Sequence, residues 1–120
     1  AHIIWLATNA GLLSFDTRTQ KFKCFWPPKP EKTVYAYNRG DFAHQVIYRI
    51  FQDEDDRLWV GARETGVVYA FDQKLAKWEN VHQMLSVIHD LTQGPDGQLW
   101  VVDQKSGIAR IHLRDRTVNY

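Results

Sequence analysis

The sequence has little cysteine and no long hydrophobic run. Its single cysteine, Cys24, excludes both an intrachain disulfide and a cysteine-based metal site. The longest uninterrupted apolar run, 3–7, has five residues, whereas about 20 are needed to cross a bilayer. We therefore expect no membrane insertion by this segment.

An excess of charge of one sign is also missing. Lys and Arg total 15 against 14 Asp and Glu, which leaves a formal net charge of +1. This balance offers no broad basic face for a phosphate backbone, so nucleic acid is not an expected partner. No two histidines have the short spacing that would direct both imidazoles at one metal ion. We expect no metal and no cofactor. The histidines are His2, His44, His82, His89 and His112.

Two polar motifs fit structural roles better than chemical ones. The acidic run 53–56 is followed by Arg57 and Leu58 instead of the oxygen ligand and glycine of a calcium loop, so a solvated hairpin turn is expected. His89 and Asp90 are neighbours on a predicted strand and would point to opposite faces, which does not build a catalytic dyad. We assign no catalytic residue and do not expect the segment to be an enzyme.

Aromatic residues, by contrast, are abundant. They make up 13% of the chain and include five Trp and six Phe. Side chains of this size favour packed β-sheets over a helical bundle. Cys24 lies between Lys23 and Phe25 on a predicted strand, and we interpret it as a small buried apolar residue.

The chain repeats itself at an offset of 41 residues. Segment 46–66 aligns without a gap on segment 87–107, and eight of 21 positions are identical. This offset is within the range of about 40 to 50 residues that is typical of one propeller blade. A partial third copy contains Trp5, which corresponds to Trp59 and Trp100. Because tryptophan recurs in every copy, we predict that it packs between blades and does not contact a ligand.

Each full repeat is predicted to form four short strands. In the second copy these are 46–52, 58–62, 67–71 and 77–81. The run 58–62 does not alternate polar with apolar residues, so both of its faces should be covered, as in stacked blades. A spacing of seven residues recurs in all three copies, from Phe15 to Phe22, from Phe71 to Trp78 and from Ile111 to Val118.

The sequence therefore predicts an all-β fold of about three four-stranded antiparallel propeller blades, of which the first is incomplete. The whole chain, 1–120, is expected to be a single partial β-propeller domain. Its blades are predicted at 1–26, 46–86 and 87–120, with an insertion at 27–45. Such an arc leaves blade faces and strand edges bare, so we expect a homodimer or further blades of the parent chain to complete the ring.

The repeats resemble the two-component regulator propeller repeat, whose pattern is approximately I-x-x-I-x-x-D-x-x-G-x-L-W-[IV]-G-T-x-x-G-L-x-x-[FY]-[DN]. In the second copy the pattern is carried by Val46, Ile50, Asp53, Leu58, Trp59, Val60, Gly61, Gly66, Phe71 and Asp72. One departure is Asp56, which stands where the pattern has a turn glycine. The resemblance implies a sensor β-propeller of a hybrid two-component system, on the periplasmic or extracellular side of a bacterial membrane. Such sensors commonly respond to carbohydrate.

Two other classes of function remain open. Propellers also serve as protein-interaction scaffolds. Some lyase propellers carry similar short repeats, but an enzyme of that kind needs a histidine and a carboxylate or metal on one face.

The insertion 27–45 is the strongest candidate for a ligand site. From Phe22 to Val46 the chain advances 24 residues, where nine suffice from Trp78 to Val87. Loops of this length are usually functional or disordered. Aromatic faces stack on sugar rings, while arginine and carboxylate groups bind hydroxyls. The predicted contacts to a small-molecule or oligosaccharide ligand are Tyr35, Tyr37, Arg39, Asp41 and Phe42. The alternative is that Tyr35 and Phe42 only pack the loop onto the blade.

Overall fold

The computed structural model describes residues 2–28, 46–105 and 107–120, and these residues form β-strands and turns with no helix. The part of the chain described therefore contains no helix that could span a membrane. The strands are β1 (Ile3–Thr8), β2 (Gly11–Asp16), β3 (Lys21–Phe25), β4 (Ile47–Gln52), β5 (Arg57–Ala62), β6 (Val67–Asp72), β7 (Lys77–Gln83), β8 (Ile88–Gln93), β9 (Gln98–Asp103), β10 (Ile108–His112) and β11 (Val118–Asn119).

The strands form three antiparallel sheets, in the orders β1-β2-β3, β4-β5-β6-β7 and β8-β9-β10-β11. We call them blade one, blade two and blade three. The first strands of neighbouring blades contact each other, β1 with β4 and β4 with β8, so the sheets fan out from their first strands. The predicted all-β propeller fold, with an incomplete first blade, is confirmed.

The recurring spacing of seven residues has a simple structural cause. In each blade the two landmark residues lie directly opposite each other on the last two strands of the sheet. The pairs are Phe15 with Phe22, Phe71 with Trp78, and Ile111 with Val118. The preceding hairpins differ in length, with two residues between Thr8 and Gly11 but four between Ala62 and Val67. Of the two causes allowed for the variable spacing, turn length is therefore the correct one.

Blade two buries both of its faces, as the non-alternating sequence of β5 predicts. Side chains of successive strand residues point to opposite faces. Leu58 and Val60 belong to a buried cluster shared with Leu12 of blade one. Trp59 belongs to a second cluster, which includes Leu99 of blade three. The hydrophobic core is therefore divided into two layers, one between each pair of neighbouring blades.

The acidic turn before β5 is not fully solvated, which corrects the prediction for this run. Asp53 is buried, whereas Glu54, Asp55 and Asp56 are exposed. One carboxylate oxygen of Asp53 accepts the backbone N–H groups of Asp55 and Arg57 at 2.9 and 3.0 Å. The other accepts the indole N–H of Trp59 at 2.8 Å. A buried carboxylate needs such partners, so Asp53 closes the turn and satisfies the buried tryptophan together.

The departure at Asp56 is accommodated by its backbone. Asp56 has φ of 60°, and its counterpart in blade three, Gly97, has φ of 76°. Both therefore occupy the left-handed region, which aspartate tolerates better than most residues. The repeat pattern constrains the turn conformation here, and either residue type satisfies it.

Arg116 connects blade three to blade two beyond the apolar layer. Its guanidinium lies 4.6 Å from the centre of the Trp59 ring. The same group binds both carboxylate oxygens of Glu79 at 3.0 and 3.2 Å. Planar guanidinium groups suit this combination of stacking and bidentate pairing. The turn between β10 and β11 therefore covers the tryptophan of the preceding blade.

We predict that Trp59→Ala lowers the free energy of unfolding by about 3 to 5 kcal/mol, because it opens a cavity in the layer between blades two and three. Chemical denaturation measures this change. Leu75→Ala is the matched control, since Leu75 is 64% exposed in the turn between β6 and β7. A nearly neutral Trp59 variant would contradict the stacked-blade core.

We also predict that stability falls as the solution is acidified through the titration of His82. Desolvation lowers the pKa of His82 from its ordinary value of 6.5, although the charge of Asp103 opposes the shift. The unfolded chain therefore takes up a proton before the folded chain does. The resulting loss starts near pH 6.5 and levels off below the lowered folded pKa of His82. Thermal melts across this range should show a smaller decline for His82→Asn, and an equal decline would assign the effect to other groups.

Candidate functional site

The two flanks of the insertion are both held by blade two. The Tyr69 hydroxyl donates a hydrogen bond to the carbonyl oxygen of Pro28 at 2.9 Å. The backbone N–H of Arg63 donates to the carbonyl oxygen of Val46 at 3.0 Å. Burial raises the pKa of Tyr69 to about 12, which keeps its hydroxyl protonated as a donor. The insertion thus leaves and rejoins the described structure at blade two.

The predicted ligand contacts lie outside the described residues. They are Tyr35, Tyr37, Arg39, Asp41 and Phe42. What the structure describes is the surface beside their attachment points, formed by the turn 63–66 and the connection 84–87. We call this surface the connection edge. Its two parts are joined by backbone hydrogen bonds from Met84 to Gly66 at 2.8 Å and from Ile88 to Arg63 at 3.2 Å.

The first strands of blades two and three carry irregularities at corresponding positions near the connection edge. Pairing of β4 with β5 shifts register between Ile47 and Arg49. Pairing of β8 with β9 shifts between Ile88 and Asp90, which are the corresponding residues of the next repeat. Bulges of this kind redirect side chains and are common beside functional sites.

Tyr48 stands at the first of these irregularities and is the centre of an exposed polar and aromatic group. The guanidinium groups of Arg49 and Arg63 lie 5.5 and 5.1 Å from the centre of its ring. Arg49 also forms an ion pair with Asp90 of blade three at 3.1 Å. We call Tyr48, Arg49, Arg63 and Asp90 the Tyr48 cluster. An aromatic face with guanidinium and carboxylate neighbours is the chemistry expected of the insertion.

Sequence reasoning did not find the Tyr48 cluster. The available signal was the pair of polar-accessible positions that follows Val-Ile in both repeats, Tyr48-Arg49 and His89-Asp90. That signal does not reveal that Arg49 and Asp90 meet across two blades, because they are separated by 41 residues.

The opposite edge of blades two and three contains a cavity of about 320 Å³. Asp53, Arg57, Asp96, His112 and Arg114 are among the residues that line it. Backbone hydrogen bonding from Gln98, and then a bond from the Trp100 indole, lowers the pKa of Asp96. These carboxylates therefore already serve the turns. Across the described ranges, no three His, Cys, Asp or Glu residues converge to hold a metal ion.

The residues interpreted as packing residues differ in how deeply they are buried. Trp59 is fully buried, and Trp5 packs on Phe71 with ring centres 5.8 Å apart. Trp100 is only half-buried, at the outer face of blade three. Cys24 is half-buried too, and its thiol contacts the carbonyl oxygen of Ala10 at 3.4 Å. Desolvation raises the pKa of the Cys24 thiol, which disfavours the reactive thiolate.

A family model described as the two component regulator propeller matches residues 41–64. This match covers the turn before β5 and β5 itself, and it confirms the resemblance inferred from the repeats. No curated protein sequence matches the chain.

Solved structures resemble the chain over nearly its whole length. The extracellular domain of BT3049 from B. thetaiotaomicron, described as a hybrid two component system, has a TM-score of 0.71, 19% identity and 99% coverage of this chain. The extracellular domain of BT4673 from the same organism, described as a one component system, has a TM-score of 0.73, 13% identity and 99% coverage. This chain spans only 16% and 15% of those two chains. At these identities the likeness establishes the propeller fold.

We predict that the Arg49–Asp90 pair contributes little to folding, because both side chains are 53% exposed. A double-mutant cycle with Arg49→Ala and Asp90→Ala should give a coupling energy below about 1 kcal/mol. The matched comparison is Arg116 with Glu79, which joins the same two blades but places the arginine over a buried ring. The Arg116 cycle should give the larger coupling. The reverse order would make the Tyr48 cluster a structural joint.

Proposed function

We propose that the chain is part of a ligand-sensing propeller in the extracytoplasmic sensor domain of a two-component signalling protein. The observation that carries this proposal is the match of residues 41–64 to the two component regulator propeller. Two solved structures of the same fold are described as extracellular domains of signalling systems, which supports the same assignment. Signalling output and any kinase activity lie in other parts of the protein.

The proposed ligand is a carbohydrate, bound at the connection edge. Sequence chemistry supports contacts from Tyr35, Tyr37, Arg39, Asp41 and Phe42. The adjoining Tyr48 cluster supplies a second aromatic face with charged hydrogen-bonding groups. Aromatic rings can stack on the apolar face of a sugar while guanidinium and carboxylate groups bind its hydroxyls.

A ligand at this edge could act on the arrangement of the blades. The Arg49–Asp90 pair crosses from blade two to blade three, so a sugar that binds either group changes a contact between blades. Ligand binding then shifts the population of two sensor arrangements in proportion to its differential affinity for them. The segment itself performs no catalysis in this proposal.

We predict that a matching oligosaccharide stabilises the chain against thermal unfolding. A free ligand concentration of 100 times Kd adds about 2.7 kcal/mol. Thermal-shift measurements with a panel of neutral and acidic oligosaccharides test this. Tyr37→Ala and Arg49→Ala should each reduce the shift while leaving the unliganded melting temperature nearly unchanged.

Leu75→Ala is the control, because Leu75 is exposed in the turn between β6 and β7, away from the connection edge. Its response to the oligosaccharide should equal that of the unmodified chain. If no oligosaccharide stabilises the chain, carbohydrate sensing by this segment is wrong, and an interaction scaffold becomes the better assignment. If Tyr37→Ala unfolds the chain, that residue packs the insertion instead of binding ligand.

A further inference from the structure

The two interfaces between blades use corresponding faces of the repeat. We call the face that carries Trp5, Trp59 or Trp100 the tryptophan face of its blade. The opposite face carries a row of three apolar residues and is called the row face. The rows are Ile4-Phe15-Phe22, Leu58-Phe71-Trp78 and Leu99-Ile111-Val118, each aligned across three strands.

Each tryptophan face packs on the row face of the next blade. Trp5 of blade one contacts Phe71 in the row of blade two. Trp59 of blade two lies in one buried cluster with Leu99 and Ile111, from the row of blade three. The direction is the same in both interfaces, so the stack of blades has two different ends.

The row face at the first end is exposed. Ile4 and Phe22 are 49% and 63% exposed, whereas their counterparts Leu58 and Leu99 are 1% and 0% exposed. Phe15 and Phe22 still stack on each other, with ring centres 4.6 Å apart, as Phe71 and Trp78 do at 4.7 Å. Blade one therefore presents the same surface that blades two and three bury.

The tryptophan face at the other end is also uncovered. Trp100 is half-buried, and Ile108 is 49% exposed, whereas their counterparts Trp59 and Val68 are both 0% exposed. Arg110, whose counterpart in blade two is Ala70, holds its guanidinium 5.6 Å from the centre of the Trp100 ring. It covers part of the ring, as Arg116 from the next blade covers Trp59.

We propose that a second copy of this chain docks here, with the tryptophan face of blade three in one copy on the row face of blade one in the other. The surface is a continuation of the interface that the chain already forms twice within itself. The contact joins two different faces, so it is head to tail and leaves one face of each kind free in a dimer.

The turns agree with this docking. Arg116 occupies the last position of the turn between β10 and β11, and Gln20 occupies the same position between β2 and β3, both with positive φ. In the docked arrangement Gln20 lies opposite Trp100 and Asn119, as Arg116 lies opposite Trp59 and Glu79. An amide pair then replaces the ion pair found inside the chain.

Sedimentation velocity over a wide range of protein concentration tests the proposal on the full chain. The unmodified chain should associate as its concentration rises. Phe22→Glu places a charge in the row face of blade one, and Ile108→Glu places one in the tryptophan face of blade three. Leu75→Glu is the matched control, since Leu75 is 64% exposed and lies on neither end face. Circular dichroism and melting curves verify that each variant is folded.

The head-to-tail geometry makes a specific demand on mixtures. Phe22→Glu and Ile108→Glu should each abolish association alone, because every contact then includes one altered face. Mixed in equal amounts, they should form a dimer and nothing longer, since one intact face of each kind remains. Leu75→Glu should associate like the unmodified chain, and Arg110→Ala should associate more tightly.

Several results would overturn the docking. These are an unmodified chain that stays monomeric at every concentration, a single end-face variant that still associates, or a mixture that fails to form the dimer. Weaker association of Arg110→Ala would contradict the pairing of these two faces.

Discussion

The structure depends on the burial of sheet faces between blades. A blade of four short strands has apolar side chains on both faces, so it cannot bury them by itself. Blade two is covered on both sides, and its buried residues divide between two layers that involve blades one and three. Removal of this apolar surface from water is the main favourable term in folding. The middle blade is therefore the most protected part of the chain.

Polar groups make this layered packing specific. Trp59 is large enough to fill the layer, but its indole N–H must be satisfied when it is buried. Asp53 accepts that hydrogen bond and also closes the turn before β5. Arg116 covers the ring from the next blade and pairs with Glu79. One tryptophan thus ties a turn, a sheet and a neighbouring blade together.

The candidate site uses the same scaffold for a different purpose. Regular strand pairing keeps most side chains in the layers between blades. The register shifts at Tyr48 and His89 interrupt that regularity on the first strands of blades two and three. They leave Tyr48, Arg49 and Asp90 exposed beside the flanks of the insertion. Rigid layers therefore support a surface that is open to ligands, as is common for loops and edges on β scaffolds.

Most of the fold follows from local regularities of the sequence. The offset of 41 residues and the constant spacing of seven arise from antiparallel strands joined by short turns, so they can be read along one chain. The burial of Asp53, the reach of Arg116 and the meeting of Arg49 with Asp90 leave no such trace. These contacts depend on the distance between side chains that lie far apart in the sequence or on different blades. That distance is set by how one sheet packs on the next, and strand spacing alone does not specify it.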